Sequence, residues 1–405
     1  WKYFFIPAII GLFVGGGVLP GRYPFSETNR IFENTATTSD SLFSNFLSLD
    51  SLGIVSAALW SDVNNDSWID LIIVGEWMPI TIMINDQGKN FVKKELKDTQ
   101  GWWNSVNGGD FDNDGDMDYI IGNIGLNSKY KAEQDQPVQI YVHDFDNNGS
   151  LDPVITQFNQ GKEVLVHPRD ELIEQMPQLR KKLYNYTDYA AFDVKSFFEF
   201  FNINNPLSIK VKMLSSIMLV NQGNFDFELR LLPNQGQISP IHGIVTIDAN
   251  KDQLLDLVVS GNSYAADLDV GYYDASYGQL LLNQDENKWL TASKMADGFI
   301  LNGDAKALIK IPLYEDLYLV SSSNRDNIKT YKLRAKADGI VKIEPDDAYA
   351  IIELPNNKKR KQEFYYGSSY YSQSARFLQV HDYMKSITIV KNNGTKRGLS
   401  QHILF

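Results

Sequence analysis

The sequence contains no cysteine, which excludes disulfide bridges, thiol nucleophiles and cysteine-ligated zinc together. Positive charge is also scarce: 38 Lys and Arg residues stand against 50 Asp and Glu residues, and the net charge is −12. This balance argues against a nucleic-acid partner, because no large basic cluster offers itself to a phosphate backbone. We interpret the one basic run, residues 358–361, as a solvated turn rather than a polyanion site.

Recognisable catalytic motifs are missing as well. None of the five histidines has HExxH spacing, and the chain contains no G-x-S-x-G, no P-loop and no dinucleotide-binding glycine motif between a strand and a helix. We therefore predict no catalytic residue, and we expect a binding module rather than an enzyme.

Long hydrophobic runs are limited to residues 4–20, FFIPAIIGLFVGGGVLP. This stretch is too short and too rich in Gly and Pro for a transmembrane helix. It could be the core of a signal peptide, but we favour a buried pair of strands with a turn at residues 15–17. Because the chain begins with Trp1 rather than Met, we expect it to be part of a longer protein.

What the sequence does contain is a repeated acidic loop. Four segments share the template D-x-[DN]-x-[DN]-x-x-x-D, and each lies between two apolar or alternating stretches. They read DVNNDSWID (62–70), DFDNDGDMD (110–118), DFDNNGSLD (144–152) and DANKDQLLD (248–256). The pattern predicts a strand, an acidic turn and a second strand in each repeat.

A second repeated element is a strand that closes on an Asn-containing turn. It reads IMINDQGKNF (82–91), IMLVNQGNFDF (217–227) and LLLNQDENKW (280–289). An inner hairpin with an acidic turn and an outer hairpin with a polar turn make a four-stranded blade. Such units arranged around an axis predict an all-β fold, a β-propeller of about seven blades, with six as the alternative.

The spacing of the loops is uneven. Asp62 and Asp110 are 48 residues apart, which fits one blade, whereas Asp110 and Asp144 are only 34 apart. The 104 residues from Asp144 to Asp248 exceed one blade, and a helical periodicity within 163–212 predicts a helical insertion there. We therefore expect a propeller over residues 1–337 and a small β-rich C-terminal tail over 338–405.

The acidic loops suit calcium, which prefers six to eight oxygen ligands in a flexible geometry. Side chains at positions 1, 3, 5 and 9 of each loop and the backbone carbonyl at position 7 would supply these oxygens. The flanking strands and the missing Glu at position 12 distinguish the loops from EF-hands. We expect up to four sites, with the second loop the strongest because its ligand set is complete. The predicted ligands are Asp62, Asn64, Asp66, Trp68 and Asp70; Asp110, Asp112, Asp114, Asp116 and Asp118; Asp144, Asp146, Asn148, Ser150 and Asp152; Asp248, Asn250, Asp252, Leu254 and Asp256.

The acidic loops followed by LIIVG or LVVSGN resemble FG-GAP/VCBS repeats, as in the propellers of integrin α-subunits. The segments 11–24, 74–80, 101–128 and 363–377 are similar to large VCBS-repeat proteins of Bacteroidota with an ASPIC/UnbV-like C-terminal region, related to cartilage acidic proteins. The resemblance implies a calcium-stabilised, extracytoplasmic propeller used in adhesion or ligand binding. The protein would be secreted, periplasmic or on the outer-membrane surface, where a segment upstream of this sequence could anchor it.

The resemblance names no partner, which could be a protein or a glycan. In an up-and-down blade the acidic turns share one face, so Glu76, Trp77, Trp102 and Trp103 would lie on the other. We expect these residues to contact the ligand, although tryptophans also pack between blades. The alternative function is a calcium-dependent polysaccharide lyase or glycoside hydrolase, with Glu76 as the first candidate carboxylate.

Overall fold

The computed structural model describes residues 2–5, 10–34, 43–266, 270–284, 288–292, 298–314, 316–334 and 337–399. Within these ranges the chain is built mainly from antiparallel β-hairpins. None of the helices in the described ranges is both long and apolar enough to cross a bilayer.

The described part of the apolar N-terminal stretch contains a pair of strands, as we predicted. The first sheet has the order β1-β2-β3-β4. Its strands are β1 (Lys2–Phe5), β2 (Ile10–Gly15), β3 (Asn29–Asn34) and β4 (Phe43–Leu49). The expected turn at residues 15–17 is wrong, because β2 pairs with the preceding strand and ends at Gly15. The residue after β2 has to be glycine, because a Cβ atom on Gly16 would lie 2.1 Å from the carbonyl oxygen of Glu27.

The second sheet shows the predicted combination of an inner and an outer hairpin. Its strands are β5 (Ile54–Ser61), β6 (Asp70–Met78), β7 (Thr81–Asp86) and β8 (Asn90–Glu95), with β9 (Gly101–Trp102) added to β6. The first acidic loop joins β5 to β6. Every residue of β5 is buried, which explains why its sequence is apolar on both faces of the strand.

The third sheet is interrupted by an inserted unit. It begins with β10 (Ser105–Gly109) and β11 (Asp118–Gly122), which flank the second acidic loop. The insertion then forms its own sheet, in the order β14-β13-β12-β15, together with three short helices. Its elements are β12 (Val138–His143), β13 (Asp152–Asn159), β14 (Lys162–Leu165), α1 (Arg169–Gln175), α2 (Tyr186–Ala190), α3 (Val194–Phe201) and β15 (Leu207–Val211).

The helices lie inside the range 163–212 that we predicted for them, but the inserted unit is larger and starts soon after β11. The third acidic loop joins β12 to β13, so it belongs to the insertion and not to a blade of the main chain of sheets. Its Phe145 packs against Phe197 of α3, with ring centroids 4.9 Å apart. The sequence template is the same in both settings, so it could not distinguish an inserted sheet from a blade.

The chain returns to complete the third sheet with β16 (Ile217–Asn221) and β17 (Phe227–Leu231). The fourth acidic loop joins the first two strands of the next sheet. That sheet consists of β18 (Ile241–Ile247), β19 (Asp256–Gly261), β20 (Gln279–Gln284) and β21 (Lys288–Thr291). A three-stranded sheet follows, made of β22 (Ala305–Leu313), β23 (Asp316–Ser323) and β24 (Lys329–Lys332).

Successive sheets pack side by side through slabs of buried apolar residues. The first strands of neighbouring sheets approach one another, β5 against β10, β10 against β18 and β18 against β22. Between the second and third sheets, for example, Leu59 and Ile72 pack with Tyr119 and Leu219. The fold is therefore all-β and propeller-like. The number of seven blades stays a prediction.

The C-terminal residues form two further sheets around a core of their own. Their strands are β25 (Gly339–Lys342), β26 (Asp347–Glu353), β27 (Lys359–Glu363), β28 (Phe377–Val380), β29 (Ser386–Lys391) and β30 (Lys396–Leu399). The basic run is not the solvated turn that we expected, because it lies largely in β27 and the side chains of Arg360 and Lys361 are buried.

The segment between β27 and β28, residues 364–376, runs across the first strands of three sheets. Its Ser369 donates its backbone N–H to the carbonyl oxygen of Val106 (2.7 Å) and accepts a bond from the N–H of Ile244 (3.1 Å). Further along, Ala375 donates to the carbonyl oxygen of Lys310 at 3.1 Å. The C-terminal part is thus tied to the centre of the sheet array.

Candidate metal centre

The first, second and fourth acidic loops lie next to one another. The side chain of Asn65 in the first loop donates a hydrogen bond to Asp116 in the second. The side chain of Asn113 in the second loop donates to the carbonyl oxygen of Gln253 in the fourth, at 3.0 Å. The fourth position of one loop thus contacts the next loop, and the three loops share one face of the array.

All four loops have the same backbone conformation. Positions 4 and 6 adopt a positive φ in each loop, which in the second loop means Asn113 (60°) and Gly115 (99°). Only glycine adopts this conformation freely, so Gly115 and Gly149 fit position 6 well. Ser67 (72°) and Gln253 (77°) occupy the same position at a conformational cost. Glycine at position 6 therefore distinguishes the second and third loops from the first and fourth.

The first Asp of the loop organises the turn. The carboxylate of Asp110 accepts backbone N–H groups from Asp114 (3.2 Å) and Gly115 (3.0 Å). The same pair of bonds recurs at Asp144 and Asp248. These bonds direct the following side chains toward the centre of the loop, where they can act as ligands together.

The ninth position has a second role that the sequence did not indicate. Asp118 accepts the backbone N–H of Phe111 on one oxygen (3.1 Å) and that of Asn221 on the other (2.9 Å). Asp70 and Asp256 make the equivalent pairs of bonds. These three carboxylates therefore close the loop and fasten it to the third strand of the sheet.

Within the four acidic loops, two groups of carboxylates are close enough to hold a metal ion between them. One consists of Asp110, Asp112 and Asp114 in the second loop, and the other of Asp144, Asp146 and Asp152 in the third loop. Within each group the ligand oxygens lie within 4.8 Å of one another. Hard carboxylate oxygens at this spacing fit a calcium ion, which tolerates irregular coordination.

Electrostatics supports the same assignment. Burial, aided by the charge of Asp112, raises the pKa of Asp118 to about 8. Burial raises the pKa of Asp110 to about 7, and the charge of Asp114 adds to this shift. A nearby cation favours the ionised form of a carboxyl group, so a divalent ion would offset the repulsion among these side chains.

The first and fourth loops differ, since their described carboxylates do not form a group of three at this spacing. A third acidic group lies outside the predicted loops, at Glu344, Asp346 and Asp347. It already has cationic partners, because Lys391 lies 2.8 Å from Glu344 and Arg397 lies 2.5 Å from Asp347. We therefore interpret it as a network of ion pairs.

The prediction that three tryptophans contact a ligand has to be corrected, because the structure buries their side chains. Trp77 is 4% exposed, Trp102 9% and Trp103 0%. Trp77 and Trp102 pack edge to face, with ring centroids 4.9 Å apart, and the inserted unit covers them with Tyr130. Trp103 lies in the core between the second and third sheets. Glu76 is partly buried in the backbone pairing of β6 with β5 and β9.

Sequence reasoning also missed the residues that the C-terminal part contributes to this face. Lys361, Arg360 and Tyr383 contact the first, second and fourth loops. Some of these contacts join residues about 300 positions apart, which no local pattern could indicate.

Part of the chain matches a known family. A family model described as an FG-GAP-like repeat matches residues 62–121. This range begins at the first acidic loop, contains the second and ends within β11. No curated protein matches the chain. The match supports an FG-GAP repeat family, whose propeller-like module commonly serves ligand binding and commonly binds calcium.

Proposed function

We propose that this chain is a non-catalytic, calcium-binding propeller module that binds a protein or glycan partner outside the cytoplasm. The observation that carries the proposal is the second loop, where three carboxylates converge within 4.8 Å on a turn closed by backbone N–H groups. The third loop repeats the arrangement. Under this proposal the chain is related to the VCBS-repeat proteins of Bacteroidota that carry an ASPIC/UnbV-like C-terminal region.

The residues that would hold calcium are Asp110, Asp112 and Asp114 in the second loop and Asp144, Asp146 and Asp152 in the third. The fourth loop, with Asp248 and Asp252, would be a weaker site. Bound calcium would stabilise the turn by neutralising its carboxylates. Extracellular modules commonly bind calcium in the range of about 10⁻⁴ to 10⁻³ M, which suits an extracytoplasmic protein with partly neutral ligand sets.

The partner would contact the loop between β19 and β20, on the face opposite the acidic turns of the sheets. Tyr264 and Tyr272 stack there with ring centroids 4.3 Å apart, and they are 38% and 62% exposed. Tyr277 is also exposed. Exposed tyrosines supply rigid apolar surface and a hydroxyl group, which suits contact with either a protein or a sugar ring.

Calorimetric titration with Ca²⁺ tests the metal-binding part of the proposal. We expect the double substitution Asp112→Asn, Asp114→Asn to remove the tightest binding event. The double substitution Asp86→Asn, Asp135→Asn, at two exposed positions outside the acidic loops, makes the same change of charge and should leave the titration unchanged. A wild-type titration without binding heat, or a double variant that titrates like wild type, would contradict the proposal.

The partner surface is tested by replacing Tyr264 and Tyr272 with Ala and screening glycans and surface proteins for binding. Loss of a partner with an unchanged melting curve would support this placement. A double variant that keeps all binding would contradict it. Cell fractionation with surface labelling tests the extracytoplasmic location, and a protein found only in the cytoplasm would refute that part.

A further inference from the structure

The C-terminal part places one hydrogen-bond donor on the first Asp of each loop on the shared face. In every case the acceptor is the same carboxylate oxygen, Oδ2. The donors differ in charge: the ammonium of Lys361 lies 3.4 Å from Asp62, the backbone N–H of Lys361 lies 2.8 Å from Asp110, and the phenol of Tyr383 lies 2.5 Å from Asp248. Only the first loop therefore receives a full positive charge at this atom.

The ammonium of Lys361 is held in the first loop by several contacts. It donates to the side-chain oxygen of Asn65 at 2.6 Å and lies 3.2 Å from the carboxylate of Glu363. Its side chain is only 6% exposed, and that of Asp62 is 3% exposed. Glu363 in turn accepts bonds from the hydroxyl of Ser61 and the N–H of Asp62. A buried charge fixed by this many partners is a permanent part of the loop.

The remaining ligands of the first loop are turned toward each other. The side-chain amide of Asn64 donates to Asp66 at 2.8 Å and accepts the N–H of Asp66 at 3.2 Å. The fourth loop pairs Asn250 and Asp252 in the same way, but the donor that the C-terminal part places on its first Asp is a neutral phenol. The lysine is thus what distinguishes the first loop from an otherwise similar loop.

We infer that Lys361 is the resident cation of the first loop, so that residues 62–70 bind no calcium although they match the same template. An ammonium and a divalent ion beside one carboxylate would repel each other strongly in this buried setting. The inference rests on the proposed function only in that the second loop serves as the metal-binding reference. It makes the C-terminal strand, rather than a metal ion, the element that neutralises the first loop.

Terbium luminescence tests this assignment at a single loop. Tb³⁺ replaces Ca²⁺ in oxygen-ligand sites and emits when a nearby tryptophan is excited. Trp68 occupies position 7 of the first loop, where the other three loops have Asp116, Ser150 and Leu254. We expect Trp68→Phe to leave the terbium emission of the wild-type protein unchanged. Loss of a large share of the emission would show a metal ion in the first loop and overturn the inference.

Removing the lysine gives the complementary result. We expect Lys361→Met to add one Ca²⁺ per chain in calorimetry and to add terbium emission that Trp68→Phe then abolishes. Lys359→Met is the matched control, because Lys359 lies on the same strand with its side chain exposed. A folded Lys361→Met protein that gains no site would contradict the inference. If Lys361→Met does not fold, the comparison of wild type with Trp68→Phe still decides.

The two proposals fail in different ways. Absence of terbium from every loop of the wild-type protein would refute the proposed function. In that event Lys361→Met alone decides the inference: new Trp68-sensitised emission supports it, and none contradicts it. Wild-type protein that binds metal in the second loop and also in the first would leave the proposed function intact and refute only the role of Lys361.

Discussion

Replacing Asn221 by Ala should weaken the attachment of the first and second acidic loops to β16. Asn221 is buried at the end of β16, and its side-chain amide donates to the carbonyl oxygens of Val63 in the first loop (2.8 Å) and Met117 in the second (3.2 Å). Its side-chain oxygen accepts the N–H of Gly223 at 3.0 Å. The substitution leaves these groups without their partner, and each unsatisfied buried group costs about 1–3 kcal/mol.

Because part of this cost is recovered when water enters, we expect Asn221→Ala to lower the free energy of unfolding by about 2–4 kcal/mol. Among the described residues, the side-chain amide of Asn283 donates to one carbonyl oxygen, that of Phe111 at 2.9 Å, so Asn283→Ala should cost less. Asn204 is exposed, and its replacement by Ala should change stability by no more than about 0.5 kcal/mol.

Urea unfolding at saturating Ca²⁺, followed by tryptophan fluorescence, measures these differences. The expected order of destabilisation is Asn221→Ala, then Asn283→Ala, then Asn204→Ala. An Asn221→Ala protein as stable as the Asn204→Ala control would refute the interpretation of Asn221 as a link between loops.

Three further predictions concern the core and the corrected surface. Burial lowers the pKa of Lys310 to about 8. Between about pH 8 and pH 10.4 the unfolded chain therefore binds more protons than the folded protein, and the free energy of unfolding rises with pH. Lys310→Met should abolish this rise in urea unfolding, and an unchanged pH dependence would contradict the prediction. Trp103→Ala should destabilise the protein by about 3–5 kcal/mol, because the side chain is fully buried; a stable variant that loses only ligand binding would reverse this correction. Neither the wild-type protein nor Glu76→Gln should release sugar from polysaccharides. Wild-type turnover that this change abolishes would establish the enzymatic alternative.

The sequence allowed the hairpins and their acidic turns to be predicted, because local patterns control both. Alternating or apolar stretches on each side of a D-x-[DN]-x-[DN] segment favour a hairpin. The requirement for a positive φ at position 6 explains why Gly115 and Gly149 occur there. The same local chemistry explains the Asn turns, although the buried contacts of Asn221 with a second loop were not foreseen.

Contacts between distant residues could not be predicted in this way. The third loop repeats the template inside an inserted sheet, so the template alone could not show that this hairpin lies outside the main series of sheets. Their local sequence predicts that Trp77 and Trp102 lie on the surface of loops, but the inserted unit covers them. Lys361 looked like part of a solvated basic run, but it pairs with Asp62 across the chain.

Thermal unfolding of the wild-type protein in Ca²⁺ and in EDTA tests the central claim most directly. A ligand that binds only the folded state stabilises it by about 2.7 kcal/mol per site at one hundred times its dissociation constant. We therefore predict a clearly higher melting temperature in saturating Ca²⁺ than in EDTA, with a smaller effect of Mg²⁺, which demands a stricter octahedral geometry. The same melting temperature in Ca²⁺ and in EDTA would contradict calcium binding by these loops.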